Sequence, residues 1–355
     1  MNNDKRSITF EEELWKNATE GDFDMFMNYF SREDIDVNWA DQEFQRTTFY
    51  RACGHGRIDI VKAMMNDKRV DLNKETNQKG TPFFIACQQN QIQVVKELLN
   101  SQRIKLNQPN HRGATAFFIA CAKGNKEIVQ LLLKDKRIDV NKSHCQEGTP
   151  FYIACQNGFL DIVLLLLEDG RIDFNKPTVE GATAFFIACQ QGHLEIVKKL
   201  LDHPKIDPNK TTARRVSPLF LSCVKGDLAM VRELIRDKRI NVNLPSQDRA
   251  TPLLIACSKG YYDIVACLLE HESIDVNQAV IDDATPFFIA CQSGHVDIVK
   301  LLLKNKKVNV NATTKIGVSP FWITCKQGHL EVVKEIFLSK REIHISKQWN
   351  GKTPL

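Results

Sequence analysis

The chain has 355 residues, of which 43% are hydrophobic and 26% are charged, and its formal net charge is +5. A single hydrophobic core rarely serves a chain of this length, so we expect several domains or an extended array. The apolar runs are far too short to span a bilayer, and so small a basic excess does not by itself indicate nucleic-acid binding.

Residues 8–39 predict a helical pair. Residues 17–21 have the pattern of a helix end and its turn, and Glu11, Glu12 and Glu13 make the outer face acidic. Because an end unit of an array must meet water, we assign residues 1–46 to a degenerate N-terminal capping repeat. The apolar stripe of its second helix consists of Phe23, Met25, Phe26, Tyr29 and Phe30.

Residues 81–114 show most plainly the pattern that follows. Thr81 is a good N-cap, and Pro82 suits the first position of a helix. This helix is apolar on most sides, so neighbours must cover it. It ends at Asn90, where other copies carry glycine, and both residue types tolerate the left-handed conformation of a helix C-cap. A second helix with an apolar stripe is predicted from residue 92 to residue 99.

An extended stretch is predicted to close each copy. Residues 104–107 read IKLN, and residues 138–141 read IDVN. The final asparagine recurs at 34-residue steps from Asn73 to Asn311. Because an asparagine side chain bonds nearby backbone groups, we expect this column to fix a local turn.

Nine of the eleven cysteines also recur every 34 residues, and a strict period of this length indicates stacked repeats. Equivalent helices stack about 8–10 Å apart, whereas a disulfide needs Cα atoms within about 7 Å. We therefore expect these cysteines to be small buried hydrophobic residues, not disulfides or metal ligands. They are Cys53, Cys87, Cys121, Cys155, Cys189, Cys223, Cys257, Cys291 and Cys325. Of the other two, Cys145 is expected in an exposed loop.

By this period, nine repeats occupy residues 47–352, and residues 353–355 read TPL, the start of a further repeat. Either the terminus frays, or the chain is truncated from a longer protein, which is the interpretation we favour.

The order of helix, tight turn, helix and extended loop, with Thr-Pro opening the first helix, resembles the ankyrin repeat. The matching residues are TPFFIACQSGHVDIVKLLL at 285–303 and its counterparts along nearly the whole chain. The resemblance implies an all-α fold, an ankyrin-repeat solenoid of stacked helix-turn-helix units with extended hairpin-like loops.

This chain departs from the family in two ways. Its repeats have 34 residues where the family has about 33. It also carries a mostly aromatic column in place of the family histidine, and we expect these side chains to form a buried ladder of stacked rings. The column is Tyr50, Phe84, Phe118, Tyr152, Phe186, Phe220, Leu254, Phe288 and Trp322.

No group of residues predicts catalysis. Residues 351–353 mimic the end of a phosphate-binding loop, but the glycine required five residues earlier is replaced by Ser346. His295 and His329 share a column about one repeat apart, which is too far for one metal ion. We therefore expect no enzyme activity, no catalytic residues, no cofactor and no metal.

The resemblance implies partner binding at a concave face, through the loop tips and the exposed side of the first helices. These positions vary here, although loops also vary when they are merely solvated. The candidate tip residues are Lys79, His111, Arg112, Gln146, Glu147, Glu180, Arg214, Arg215, Asp248, Arg249, Asp282, Asp283 and Lys315. The candidate first-helix residues are Gln88, Lys123, Gln156, Gln190, Lys225, Lys259 and Gln292.

A basic column follows the second helices. Cations suit helix C-termini, and the alternative is a stripe that weakly binds nucleic acid or phospholipid. The column consists of Lys68-Arg69, Lys136-Arg137, Lys238-Arg239, Lys306-Lys307 and Lys340-Arg341.

Our leading hypothesis is a non-catalytic scaffold that binds unknown protein partners, without nucleic acid or a membrane span. Because the N-terminus lacks the pattern of a signal peptide, we expect the chain to be cytoplasmic, with the nucleus as the alternative compartment. We also expect it to be a monomer. The second hypothesis is a targeting or adaptor region of a larger effector protein whose C-terminal part is missing.

Overall fold

The computed structural model describes residues 9–345. These residues form twenty short α-helices and no strand, with isolated bridges only at Ala40–Thr47 and His144–Gly148. The predicted all-α fold is therefore confirmed. Within the described range no helix combines the length and the apolar character needed to cross a bilayer. The sequence TPL at 353–355 lies outside the described residues.

The chain divides into two units, Met1–Val179 and Glu180–Leu355. The helices of the first unit are α1 Phe10–Glu20, α2 Phe23–Phe30, α3 Thr48–His55, α4 Ile58–Asn66, α5 Pro82–Gln88, α6 Ile92–Leu99, α7 Ala116–Lys123, α8 Lys126–Lys134, α9 Pro150–Asn157 and α10 Leu160–Leu167. The helices of the second unit are α11 Ala184–Gln191, α12 Leu194–Leu201, α13 Pro218–Lys225, α14 Leu228–Arg236, α15 Pro252–Lys259, α16 Tyr262–Leu269, α17 Pro286–Ser293, α18 Val296–Lys304, α19 Pro320–Lys326 and α20 Leu330–Leu338.

Each repeat contributes one helix pair, and the pairs stack in chain order within each unit. In the first unit the odd-numbered helices α1 to α9 contact one another in sequence, as do the even-numbered helices α2 to α10. The helices α11 to α20 of the second unit follow the same rule. Small buried side chains such as Ala86 and Cys87 allow close packing of the first helices, while the second helices bury stripes such as Val94, Val95 and Leu98.

The predicted caps begin and end the helices. The Thr81 hydroxyl accepts a hydrogen bond from the N–H of Phe84 at 3.1 Å. Asn90 adopts a φ of 57°, and Gly294 ends α17 with a φ of 73°. A Cβ atom on Gly294 would lie 2.6 Å from Nδ1 of His329 in the next repeat. Glycine is therefore needed there both for its backbone conformation and for the approach of the neighbouring repeat.

The asparagine column joins repeats and does not fix a local turn, so this part of the prediction is wrong. The Asn107 side chain donates to the carbonyl of Arg137 at 2.7 Å and accepts from the N–H of Asp139 at 2.8 Å. The local turn is made by the aspartate, because the Asp139 carboxylate accepts from the N–H of Asn141 at 3.1 Å. These stretches consist of turns where extended backbone was predicted. The column also begins one repeat earlier, at Asn38.

The cysteine column is buried and reduced as predicted, except that Cys325 on α19 is half-buried. Cys145 is exposed, also as predicted. The aromatic column is largely buried as predicted, and one of its rings has a stacking partner outside the column. Phe118 is 2% exposed and stacks on His144 of a following loop, with ring centroids 5.1 Å apart.

Candidate binding surfaces

The loops that precede the first helices, here called finger loops, hold their tips in fixed positions. They comprise residues 41–46, 75–80, 109–114 and 143–148 in the first unit, and residues 211–216, 245–250, 279–284 and 313–318 in the second. The loop 177–182, which contains the division between the two units, precedes α11. In one such loop the N–H of Lys79 donates to the carbonyl of Thr76 at 2.8 Å, and Lys79 has a φ of 58°. The next loop is tied to it by the N–H of His111, which donates to the carbonyl of Gln78 at 3.0 Å. Backbone bonds thus fix the tips, and side chains can differ without changing the loop.

All thirteen candidate tip residues are exposed. Among the candidates on the first helices, Gln88 and Gln156 are half-buried and the other five are exposed. Lys225 also has a structural contact, because its amine donates to the carbonyl of Gln190 in the preceding repeat. The side chains of His111 and Asp282 also contact loop backbone, at the carbonyl of Gln78 (3.1 Å) and the N–H of Ala284 (3.4 Å) respectively. All of the candidates remain predicted binding residues.

Three of the candidates meet in one groove of the second unit, here called the apolar groove. Asp282 and Lys315 come from two finger loops, and Gln292 comes from α17. The groove has a volume of about 310 Å³, and its apolar lining includes Phe288, Ile316 and Trp322.

Sequence reasoning missed the apolar members of this groove. Ile316 is 68% exposed at a loop tip, and Ile281 on the neighbouring tip is 51% exposed. The signal was present, because the residues equivalent to Ile316 in the two preceding repeats are Asp282 and Asp248. An exposed isoleucine is thus a departure from the repeat pattern.

A second cavity, here called the basic cleft, lies in the first unit and contains none of the predicted binding residues. It has a volume of about 460 Å³ and lies between α3 and α5. Its polar lining consists of Arg46, Tyr50, Arg51, His55, Gln89 and Gln91.

The two arginines of the basic cleft are held by different partners. Arg46 pairs with Asp41, with Nε 2.9 Å from the carboxylate. Nε of Arg51 donates to the Thr19 hydroxyl at 3.1 Å, and its guanidinium carbon lies 4.5 Å from the centroid of the Trp15 ring. Arg51 makes no salt bridge with any residue of the described range.

Burial and charge shift the pKa values of groups in the cleft. Burial lowers the pKa of Arg51, and the positive charge of Arg46 lowers it further. Burial, followed by the charges of Arg51 and Arg57, lowers the pKa of His55. The cleft therefore holds closely spaced positive charge and a histidine that is neutral near pH 7.

The arginines of the basic column serve as clamps between repeats. In α14 and its loop, Arg239 pairs with Asp237 and donates to the carbonyls of Leu201 at 2.6 Å and Ile206 at 3.0 Å in the preceding repeat. Corresponding carbonyl bonds are made by Arg69, Arg103, Arg137, Arg171 and Arg341. The predicted preference for a helix C-terminus is met, but the helix belongs to the preceding repeat. The exposed lysines remain, namely Lys68, Lys136, Lys238, Lys306, Lys307 and Lys340.

No three metal-binding side chains converge anywhere in residues 9–345. The family model described as ankyrin repeats, built from three copies, matches residues 14–110, 103–178, 170–246 and 219–314. The comparison with curated proteins finds no match to the chain.

Proposed function

The chain belongs to the ankyrin-repeat family, whose members are generally protein–protein interaction modules and typically non-catalytic, and we propose that it is a non-catalytic scaffold that binds partner proteins through its finger loops and first helices. As part of this proposal, residues 1–46 form the capping repeat, residues 47–352 form nine repeats, and the scaffold is a cytoplasmic monomer.

The apolar groove is the observation that carries this proposal. Soluble proteins seldom leave large apolar side chains together at a surface unless another molecule covers them. Here Ile316 is 68% exposed and lines one groove together with the largely buried Trp322. The polar residues Asp282, Gln292 and Lys315 line the same groove. An apolar centre with a polar rim is the usual composition of a protein-binding site.

The charges around the groove indicate what it would accept. Lys326 lies over the Trp322 ring at 5.3 Å from its centroid, and Lys315 lies on the finger loop that precedes the helix carrying both residues. Asp282 is the carboxylate of the same rim. A segment with an apolar anchor residue and flanking residues of both charges would complement this surface.

Binding of nucleic acid or phospholipid through the basic column is less well supported. The guanidinium of Arg239 is already engaged by a carboxylate and by backbone carbonyls. The same holds for Arg69 and Arg137, which leaves the lysines as the free cations of a column that also contains aspartates. Recognition of a polyanion generally uses several unengaged cations on one surface.

Affinity purification from the source cell, with the full chain as bait, tests the proposal. Quantitative mass spectrometry would compare the wild type with Ile316→Asp, which places a charge in the groove. Val179→Asp is the matched control, because Val179 is an exposed apolar residue at another loop tip and does not line the groove.

We expect at least one protein to be enriched by the wild type and by Val179→Asp but lost with Ile316→Asp. That protein, once purified, should bind the chain directly and compete with a peptide from its own interface. If all three baits capture the same proteins, the groove is not the binding site, and the exposed isoleucine has no role in recognition.

A further inference from the structure

The basic cleft contains a cation without a counter-charge. The Asp41 carboxylate accepts hydrogen bonds from Nε and N–H of Arg46 and from the N–H of Phe44, so its oxygens are occupied. Arg51 uses Nε for the Thr19 hydroxyl, and its two terminal amino groups have no hydrogen-bond partner among residues 9–345. The terminal amino groups of Arg46 also have no hydrogen-bond partner within this range, although its guanidinium carbon lies 4.4 Å from the centroid of the Phe44 ring. Two cleft-lining arginines thus carry four terminal amino groups without a hydrogen-bond partner among residues 9–345.

Both arginines interrupt columns that are otherwise apolar. The residues equivalent to Arg51 in the other eight repeats are Ile85, Ile119, Ile153, Ile187, Leu221, Ile255, Ile289 and Ile323. The residues equivalent to Arg46 are Gly80, Ala114, Gly148, Ala182, Val216, Ala250, Ala284 and Val318. Two such departures within six residues of the chain, both lining one cleft, are difficult to attribute to packing.

Capping of the array explains only part of this arrangement. The contacts of Arg51 with Trp15 and Thr19 hold α3 against α1. These contacts require only one side of the guanidinium. A second arginine at position 46 adds like charge beside it and lowers the pKa of Arg51. A half-buried guanidinium without a carboxylate is costly unless an anion completes it.

We propose that the basic cleft binds the carboxylate of an aspartate or glutamate side chain on a partner's polypeptide segment. Arginine forks bind planar carboxylates through paired hydrogen bonds, and Arg46 and Arg51 offer such donors from two directions. Tyr50 lines the cleft with its aromatic ring, and Gln89 offers neutral polar contacts to the peptide beside the acidic side chain. The amide nitrogen of Gln91 already donates to the carbonyl of Gly54 at 3.1 Å, which leaves its amide oxygen for such a contact. This inference rests on the proposed function, because it assigns the chemistry of one recognised group.

The surroundings favour a single carboxylate over a polyanion. Arg46 and Arg51 carry two positive charges and Asp41 carries one negative charge, while Arg57 adds a further positive charge that acts on His55 at the edge of the cleft. Helix α1, which packs against α3, carries Glu11, Glu12 and Glu13 in its first turn. These residues would repel an extended polyanion such as nucleic acid or an anionic bilayer.

Fluorescence polarisation with labelled peptide pools tests this assignment on the full chain. The pools are degenerate except for one central residue, which is glutamate, glutamine or phosphoserine. The variants are Arg51→Gln, which removes the cation, and His55→Glu, which places a competing carboxylate at the exposed edge of the cleft. Lys68→Gln is the charge-matched control, because Lys68 is exposed, lies in the same repeat and does not line the cleft.

We expect the glutamate pool to bind about 10-fold more tightly than the glutamine pool to the wild type and to Lys68→Gln, since a charged hydrogen bond is lost without the carboxylate. Arg51→Gln and His55→Glu should abolish this difference. Thermal unfolding of each variant shows whether a loss of binding results from a loss of folding. Because residue 55 is exposed, His55→Glu should remain folded and can still test the site if Arg51→Gln does not fold.

Equal binding of the glutamate and glutamine pools, or a preference that survives in a folded Arg51→Gln variant, would overturn the proposal. A clear preference for the phosphoserine pool would overturn the carboxylate assignment in favour of phosphate. Arg51-dependent binding of heparin or of phosphatidylserine vesicles would assign the cleft to polyanions instead. None of these results affects partner capture through Ile316, so the two proposals fail separately.

Discussion

The side chain of Thr48 destabilises the folded state. This residue follows the N-cap Thr47 at the start of α3, where the other first helices of the nine repeats carry proline or alanine. Thr48 is 1% exposed, and its hydroxyl has no hydrogen-bond partner in the part of the chain that the structure describes. A buried hydroxyl that loses its bonds to water without replacement destabilises the folded state.

Replacing Thr48 with alanine should therefore raise the free energy of unfolding by about 1 kcal/mol, because the unpaired hydroxyl is removed with little loss of volume. Urea denaturation followed by circular dichroism would measure the change.

Thr47→Ala is the matched control for this prediction. The Thr47 hydroxyl accepts a hydrogen bond from the N–H of Tyr50 at 3.1 Å, so its loss should destabilise the chain by about 1 kcal/mol. Identical chemical changes at adjacent residues should thus have opposite signs. A loss of stability in both variants would show that the Thr48 hydroxyl has a partner in solution.

The second helices depend on side chains from the repeats that follow them. The last carbonyls of a helix lack partners within the helix, and here an arginine of the next repeat supplies donors. Arg239 does so for α12 through Leu201, while Asp237 orients its guanidinium. Arginine suits this role better than lysine because its planar fork reaches several acceptors at once.

Arg239→Gln should lower the free energy of unfolding by about 1–2 kcal/mol, since charged hydrogen bonds to backbone carbonyls are lost at a partly exposed site. Lys238→Gln removes the same charge from the adjacent, exposed position and should change stability by less than about 0.5 kcal/mol. Denaturant titration would compare them. Equal effects of the two variants would mean that net charge, not the clamp, stabilises the chain.

The same clamp predicts how acid affects stability. The hydrogen bond from the Arg239 side chain lowers the pKa of Asp237 in the folded chain, against the opposing effect of burial. A lowered pKa stabilises the folded state above the unfolded value of about 3.9, and this contribution is lost as pH falls through the folded value. The stability gap between the wild type and Arg239→Gln should accordingly narrow below about pH 4.

The helices were predictable from the sequence, whereas contacts between repeats were not. The 34-residue period, with Thr81 and Pro82 at a helix start and Asn90 at its end, predicted the helix pairs because caps are local. The role of Asn107 was mistaken because a period shows which residues recur but not which neighbour each one contacts.

The candidate sites were only partly predictable for a related reason. Exposed tip residues such as Asp282 and Lys315 could be identified because loop tips vary and carry charge. Arg51 and Ile316 were overlooked, although each departs from its column. Whether a departure matters depends on the cavity that it faces, and that cavity exists only once neighbouring repeats have stacked.

At the scale of the whole molecule, the cysteine column provides one thiol for each repeat from Cys53 to Cys325. Most of these thiols are fully buried, and burial raises the pKa of Cys291 to about 12. A thiol of this kind is almost never ionised at pH 8, and the thiolate is the reactive form. The thiol of Cys145, in contrast, is exposed to solvent and to reagents.

Treatment of the native chain with iodoacetamide at pH 8 should therefore modify Cys145 first, the half-buried Cys267 and Cys325 more slowly, and the buried column only as repeats open. Peptide mass spectrometry after timed quenching would measure each site, and a sample unfolded in guanidinium should react at all eleven cysteines. Cys121 is the internal control for Cys145. Both cysteines lie in the first unit, but Cys121 is buried and Cys145 is exposed. Equal rates at these two sites in the native chain would contradict the packed column.

Repeating the experiment at rising denaturant concentrations should then rank the repeats by stability, because each buried cysteine reports the opening of the helix pair that contains it.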